Sequence, residues 1–150
     1  MLTMKTRYAL AALTQLALRP GAPTLIADLA ERGRIPRKFL EAILRDLKRD
    51  GLLTSQRGPG GGYALSVGPE QITLASIVQA LDGTLVPSPC SSGNPRLACE
   101  ECRAGGSCSA RLVLDDLRHA TDQVLEGTTL AELAQRTLAA QNAFALKQAI

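Results

Sequence analysis

The sequence predicts a mainly α-helical chain carrying one small β-hairpin, and three observations lead there. Leucine and alanine abound, while the aromatics are limited to Tyr8, Phe39, Tyr63 and Phe144 with no tryptophan, a composition that favours helices around an aliphatic core. Apolar residues recur at helical spacing in most segments between the Gly and Pro breaks. One pair of short segments instead reads as two strands across a glycine-rich turn. With 150 residues, 45% hydrophobic and 21% charged, the chain suffices for one domain with an attached helix and has an ordinary folded composition. No apolar run approaches the ~20 residues of a membrane span, and the N-terminus shows no long apolar h-region or cleavage site. A cytoplasmic protein with no membrane partner is therefore expected. The scarcity of aromatics argues against a base-stacking platform.

A first helix is expected over Thr3 to Leu18, where Tyr8-Ala9-Leu10-Ala11-Ala12-Leu13 and Leu16-Ala17-Leu18 are strong helix formers, and Arg19-Pro20-Gly21-Ala22-Pro23 stops it. Thr24 offers an N-cap hydroxyl for a short second helix, with Ile26, Leu29 and Ala30 at helical spacing and Gly33 at its end. Pro36 suits the first position of a third helix running to about Arg49, before Asp50-Gly51. On it Phe39, Leu40, Ile43, Leu44 and Leu47 form an apolar face expected to pack inward, and Lys38, Glu41, Arg45 and Lys48 form a separate outer stripe. Two short helices across a tight turn, the second with a basic outer stripe, are the sequence form of a helix-turn-helix.

Leu52-Leu53-Thr54-Ser55-Gln56 and Tyr63-Ala64-Leu65-Ser66 then read as strands around Arg57-Gly58-Pro59-Gly60-Gly61-Gly62, a wing directly after the recognition helix. Its glycines let backbone approach a surface closely, and Arg57 at its base suits a minor groove, where negative potential is enhanced. A hairpin with no ligand is the plain alternative. A phosphate-binding P-loop fits poorly, because no Gly-Lys-Ser/Thr follows. Charge supports the DNA reading: Glu31 to Arg57 holds 8 of the 17 basic residues against 4 acidic ones, a local surface suited to a polyanion. A solvated helix face is the competing explanation.

Thr73 to Leu81 is a further short helix, stopped by Asp82-Gly83. Composition then changes, for Thr84 to Ser107 holds three Pro, three Gly and no apolar period, as an irregular loop would. From Ser109 the pattern is helical again to Gly127, with Val113, Leu117, Ala120 and Val124 on one stripe flanked by Leu112, Leu114 and Leu125. Apolar positions on two sides of a charged helix imply packing on its own domain and on a partner helix, most economically in a homodimer. Thr129 with Glu132 forms a capping box for a last helix carrying Leu130, Leu133 and Leu138. The expected organisation is a winged helix-turn-helix unit over residues 1–82, a cysteine-rich loop over 83–108, and a dimerisation helix with a C-terminal helix over 109–150.

All four cysteines lie in the spacing C-x8-C-x2-C-x5-C, as Cys90, Cys99, Cys102 and Cys108. Disulfides are rare in the cytosol, and thiolates are soft ligands that a Pro/Gly loop can wrap around a metal centre. An iron–sulfur cluster leads, with thiol/disulfide switching, zinc and inert thiols as alternatives; a structural zinc site usually pairs two C-x2-C knuckles, and only Cys99 and Cys102 form one. Arg103 and Arg111 nearby favour thiolates. His119, the single histidine, reads as a surface helix residue.

The run from Ile35 to Tyr63, with its Arg57-Gly58-Pro59-Gly60-Gly61-Gly62-Tyr63 wing, and the opening Leu2-Thr3-Met4-Lys5-Thr6-Arg7-Tyr8-Ala9-Leu10 closely resemble the IscR, NsrR and RirA group of bacterial regulators, the Rrf-two family. The resemblance covers nearly the whole chain in order of elements. It implies a homodimeric winged-helix transcription factor on double-stranded DNA with a pseudo-palindromic operator, and a cysteine loop holding a [2Fe–2S] or [4Fe–4S] cluster beside a long dimerisation helix. Some members of the family lack a cluster and sense differently. By resemblance Glu41 matches a carboxylate that reads cytosine and Arg57 the wing arginine. Pro36 and Lys38 match polar positions where serine or threonine is common, so base preference differs. Cys90, Cys102 and Cys108 match the family's three cysteines. Relatives take a fourth ligand from a histidine or from an N-terminal carboxylate of the partner, where this chain has Arg111 and Arg7; Cys99 is the candidate in their place.

The DNA-binding set expected from sequence is therefore Thr24, Pro36, Arg37, Lys38, Glu41, Arg45, Lys48, Arg57, Gly60, Gly61, Gly62 and Tyr63. Two other classes compete. A small dithiol redox protein lacks support, since no βαβ pattern surrounds Cys99 and Cys102 and no second catalytic constellation exists. A protein-binding module without DNA contact would show no salt-dependent affinity for random duplex.

Overall fold

The computed structural model describes residues 2–83, 100 and 108–148. The element order is α1 (Met4–Ala17), α2 (Ile26–Gly33), α3 (Arg37–Arg49), β1 (Leu53–Gln56), β2 (Gly62–Leu65), a 3-10 turn at Pro69–Gln71, α4 (Leu74–Asp82), α5 (Ser109–Gly127) and α6 (Leu130–Gln148). Helix α1 is the hub and packs against α2, α3, α4 and α6. Its Ala9, Ala12, Leu13 and Leu16 meet Leu29 of α2, Leu40, Ile43, Leu44 and Leu47 of α3, Leu53, Ile77, Leu130 and Ala134 in one aliphatic core. Small residues on α1 let its four neighbours approach closely, and each buried leucine contributes roughly 1.5–3 kcal/mol of transfer free energy.

The strands pair antiparallel, with Leu53 opposite Leu65 and Gln56 opposite Gly62. Leu52 stays outside β1 because its N–H closes α3 on the Leu47 carbonyl at 2.9 Å. Near the other end of the chain, Leu130 N–H donates to the Ile72 carbonyl at 2.7 Å and Leu74 N–H to the Thr128 carbonyl at 3.0 Å. These bonds stitch the start of α6 to the start of α4.

Four local expectations are corrected. Thr24 is not the N-cap of α2: Leu25 is, without a side-chain cap, because Thr24 is held extended in a bridge to Tyr63. Gly33 is the last residue of α2, as expected; Arg34 after it takes the left-handed conformation at φ 50°, and a Cβ on Gly33 would meet the Ile35 side chain at 2.7 Å. The glycine serves close packing, and the arginine carries the backbone strain. Pro36 is the N-cap of α3, its carbonyl accepting from Phe39 and Leu40 N–H, since its ψ of 123° leaves it extended. Phe39 is 42% exposed rather than packed inward, standing edge-on to Tyr8 with ring centres 5.7 Å apart. At the last helix Thr129 Oγ1 accepts from Glu132 N–H at 3.2 Å, but the Glu132 carboxylate turns to Arg136, leaving half a capping box.

Candidate nucleic-acid interface

The amphipathic period of α3 buries Leu40, Ile43, Leu44 and Leu47 and leaves Arg37, Lys38, Glu41, Arg45 and Lys48 exposed. Arg37 Nε lies 3.3 Å from Glu41 Oε1, an exposed pair one turn apart that holds little energy and opens readily. Lys48 Nζ donates to Ser55 Oγ of β1 at 2.5 Å, joining the end of α3 to the hairpin. Among the described residues Lys38, Arg45 and Arg57 have no ion pair. Three free cations on one helix face and at the adjoining hairpin make an anion-accepting surface.

The hairpin is latched to the two-helix unit. Thr24 N–H donates to the Tyr63 carbonyl at 2.8 Å, and Tyr63 N–H returns to the Thr24 carbonyl at 2.9 Å. Gly62 makes this approach possible: its φ is 141°, and a Cβ there would lie 2.3 Å from the Thr24 carbonyl oxygen. Gly61 N–H donates to the Gly58 carbonyl at 2.9 Å to close the turn, and Gly60 is exposed beside it. Thus all twelve DNA-binding candidates lie on the α2–α3 unit or the hairpin, but Thr24 is buried and contributes backbone, not a free hydroxyl face. Sequence periodicity gave no sign of this latch or of the Lys48–Ser55 bond, because both join residues distant in register.

Asp46, on the flank of α3, sits 2.7 Å from Lys5 Nζ and 3.3 Å from the Arg49 guanidinium. The hydrogen bond from Lys5 and the surrounding positive charges hold its carboxyl below the ordinary value of 3.8.

Helix α5 packs on α4 through its inner side, with Leu114 and Leu125 partly buried, and presents Val113, Leu117 and Val124 at 59%, 52% and 62% exposure. Ala120 lies exposed between them, and Leu112 extends the apolar face. Cys108 is the N-cap of α5, half-buried and free, with its carbonyl accepting from Arg111 N–H. Cys90, Cys99 and Cys102 lie outside the described residues. Among the described residues no group of three His, Cys, Asp or Glu is placed to hold a metal. Arg111 pairs with Asp115 at 3.7 Å, and His119 is exposed. No helix of the described residues is long and apolar enough to cross a membrane.

A basic helix read through its outer face, preceded by a shorter helix and followed by a latched hairpin, is the architecture of a winged helix-turn-helix DNA-binding regulator. The chain belongs to the Rrf2 family: the model of that family, described as iron-dependent transcriptional regulators, matches residues 2–136. It is 34% identical over 133 residues to the HTH-type transcriptional regulator IscR of Aliivibrio salmonicida, covering 88% of this chain and 76% of that protein. Its fold is similar to CymR, the global cysteine regulator of B. subtilis, with a TM-score of 0.74 and 29% identity over 91% of this chain and 97% of that one. IscR of T. potens follows with a TM-score of 0.73 and 25% identity, covering 94% and 90%. The chain is a DNA-binding transcriptional regulator and not an enzyme.

Proposed function

We propose that the chain is a homodimeric repressor that reads a pseudo-palindromic operator with α3 and the wing, under control of an iron–sulfur cluster in the four-cysteine segment. The observation that carries the DNA reading is the exposed row Lys38, Glu41 and Arg45 on α3, adjoining a wing whose Arg57 has no ion pair among the described residues. Arg37, Lys38, Arg45 and Lys48 hold phosphates, and Pro36 sets the start of the helix against the backbone. Glu41 accepts from a cytosine N4 amine in the major groove, leaving Arg37 free for phosphate. Arg57 enters the minor groove while Gly60, Gly61, Gly62 and Tyr63 bring the wing against the sugar–phosphate backbone, braced by Thr24.

Dimerisation through Val113, Leu117, Ala120 and Val124 covers a face too apolar for a lone helix in water and sets two α3 helices about one helical turn, ~34 Å, apart. The four thiols suit a cluster by donor chemistry, and Cys108, the one of them among the described residues, is half-buried at the N-cap of α5. Cys90, Cys99, Cys102 and Cys108 would hold it, with Cys99 replacing the donors that Arg7 and Arg111 cannot supply. A bound cluster would supply a redox- and nitric-oxide-sensitive centre. Through the loop that joins α4 to α5, the cysteines holding it would bias the spacing of the two reading helices, a coupling on the order of 1–3 kcal/mol. The test is anaerobic purification with a visible spectrum and iron, sulfide and zinc analysis of one sample. Brown protein with matched iron and sulfide supports the cluster. Protein that stays colourless after anaerobic reconstitution overturns it and puts thiol oxidation or zinc first.

A further inference from the structure

Lys5, on the first turn of α1, connects with carboxylates from two other elements. Its Nζ is 2.7 Å from Asp46 Oδ2 on α3, and its charge also acts on Asp82 at the end of α4. Asp82 is itself filled by α1. Its Oδ1 accepts from the Thr3 hydroxyl at 2.7 Å, while Oδ2 accepts from the Thr6 hydroxyl at 2.6 Å and the Thr3 N–H at 3.3 Å. Thr6 is fully buried, so this carboxylate pins the helix start to α4 from the inside.

Among the described residues Lys5–Asp46 is the single ion pair joining α3 to another element; Arg37 and Arg49 pair with carboxylates on α3 itself or at its end. The other contacts of α3 with the core are mainly aliphatic, apart from Phe39 edge-on to Tyr8, and Lys48 Nζ ties its far end to Ser55 of the hairpin. Leu40, Ile43, Leu44 and Leu47 fix how far α3 lies from α1, but dispersion and hydrophobic contacts are non-directional and resist a small roll of the helix weakly. A charge-assisted hydrogen bond is directional and resists it.

We propose that Lys5 and Asp82 are positioning residues for DNA recognition: Asp82 fixes the first turn of α1 on α4, and Lys5 carries that placement to α3, setting the angle at which Lys38, Glu41 and Arg45 leave the surface. Neither touches DNA. The inference rests on the reading of α3 as the helix that enters the groove.

The experiment uses the full chain. Wild-type protein selects duplexes from a random pool, and fluorescence anisotropy then measures binding of the enriched duplex and of a scrambled duplex of equal composition. Lys5→Met and Asp82→Asn are expected to lower the preference for the enriched duplex about tenfold, as one mismatched base pair does. Their affinity for the scrambled duplex stays within about twofold, because phosphate contacts are intact. Asp46→Asn is expected to lower the preference as Lys5→Met does, and the double variant Lys5→Met/Asp46→Asn to lower it no further. Equal losses on both duplexes, or a lowered melting temperature with unchanged preference, make the pair plain stability and overturn the proposal, as do additive losses in the double variant. A wild-type chain that enriches no duplex overturns the groove-reading role of α3 along with it.

Discussion

Arg57 stands at the root of the wing without an ion pair among the described residues, so its removal disturbs no partner in the free protein. Arg57→Ala is expected to weaken operator binding about tenfold in anisotropy titrations, with the visible spectrum unchanged. Gly62 behaves oppositely. Alanine there strains a φ of 141° and drives a methyl against the Thr24 carbonyl, so Gly62→Ala should lower stability by about 1–3 kcal/mol, read as a fall in urea midpoint at constant slope. Acid acts through two other side chains. Burial raises the Asp82 carboxyl and hydrogen bonds from Thr6 and Thr3 outweigh it, while the Lys5 hydrogen bond leads in lowering Asp46. A carboxyl depressed on folding contributes stability fully above its unfolded value of 3.8 and loses it as pH falls through the folded one. Between pH ~5 and ~3 the wild type should therefore lose more urea midpoint than the Asp46→Asn/Asp82→Asn variant. At this scale the outer stripe of α3 was legible because helical period alone sorts Lys38 from Leu40. The role of Thr24 was not, since a hydroxyl before a helix reads as a cap whatever its backbone bonds elsewhere.

At the scale of elements, α1, α4 and α5 begin and end within a residue or two of where composition and breakers put them, and α6 begins directly after its expected cap. Their boundaries are local events, decided by Thr3 and Thr73 as caps and by Gly127 as a stop. What periodicity could not supply is which helix meets which. Leu130 and Ala134 return to the core beside α1, a contact across more than half the chain that follows from the Ile72–Leu130 bond rather than from any repeat. The exposed stripe of α5 was legible as a surplus apolar face, and it carries its own test. Leu117→Glu, placed at its middle, is expected to convert a dimer to a monomer in sedimentation or light scattering while thermal unfolding remains cooperative. Operator affinity should fall with it, because two linked half-site contacts become one.

For the molecule as a whole, the residues proposed for DNA reading and for sensing fall in different stretches of chain, and variants should separate them. Cys102→Ala is expected to abolish colour and iron while leaving random-duplex affinity, and its salt slope, as in wild type. The proposed cluster site is readable only as a spacing of four thiols, three of which lie outside the described residues, because donor identity is written in sequence and coordination geometry is not. The latch between Thr24 and Tyr63 bears on how any signal becomes a response. Wing and α3 are clamped into one stiff piece, so in the proposed homodimer each subunit would be a fixed jaw and the pair a caliper with a single adjustment, the gap. Such an instrument measures separation better than it changes its grip. Inserting one base pair between the half-sites should therefore harm binding more than a substitution within one of them, and loss of the cluster should shift the preferred gap rather than the preferred bases.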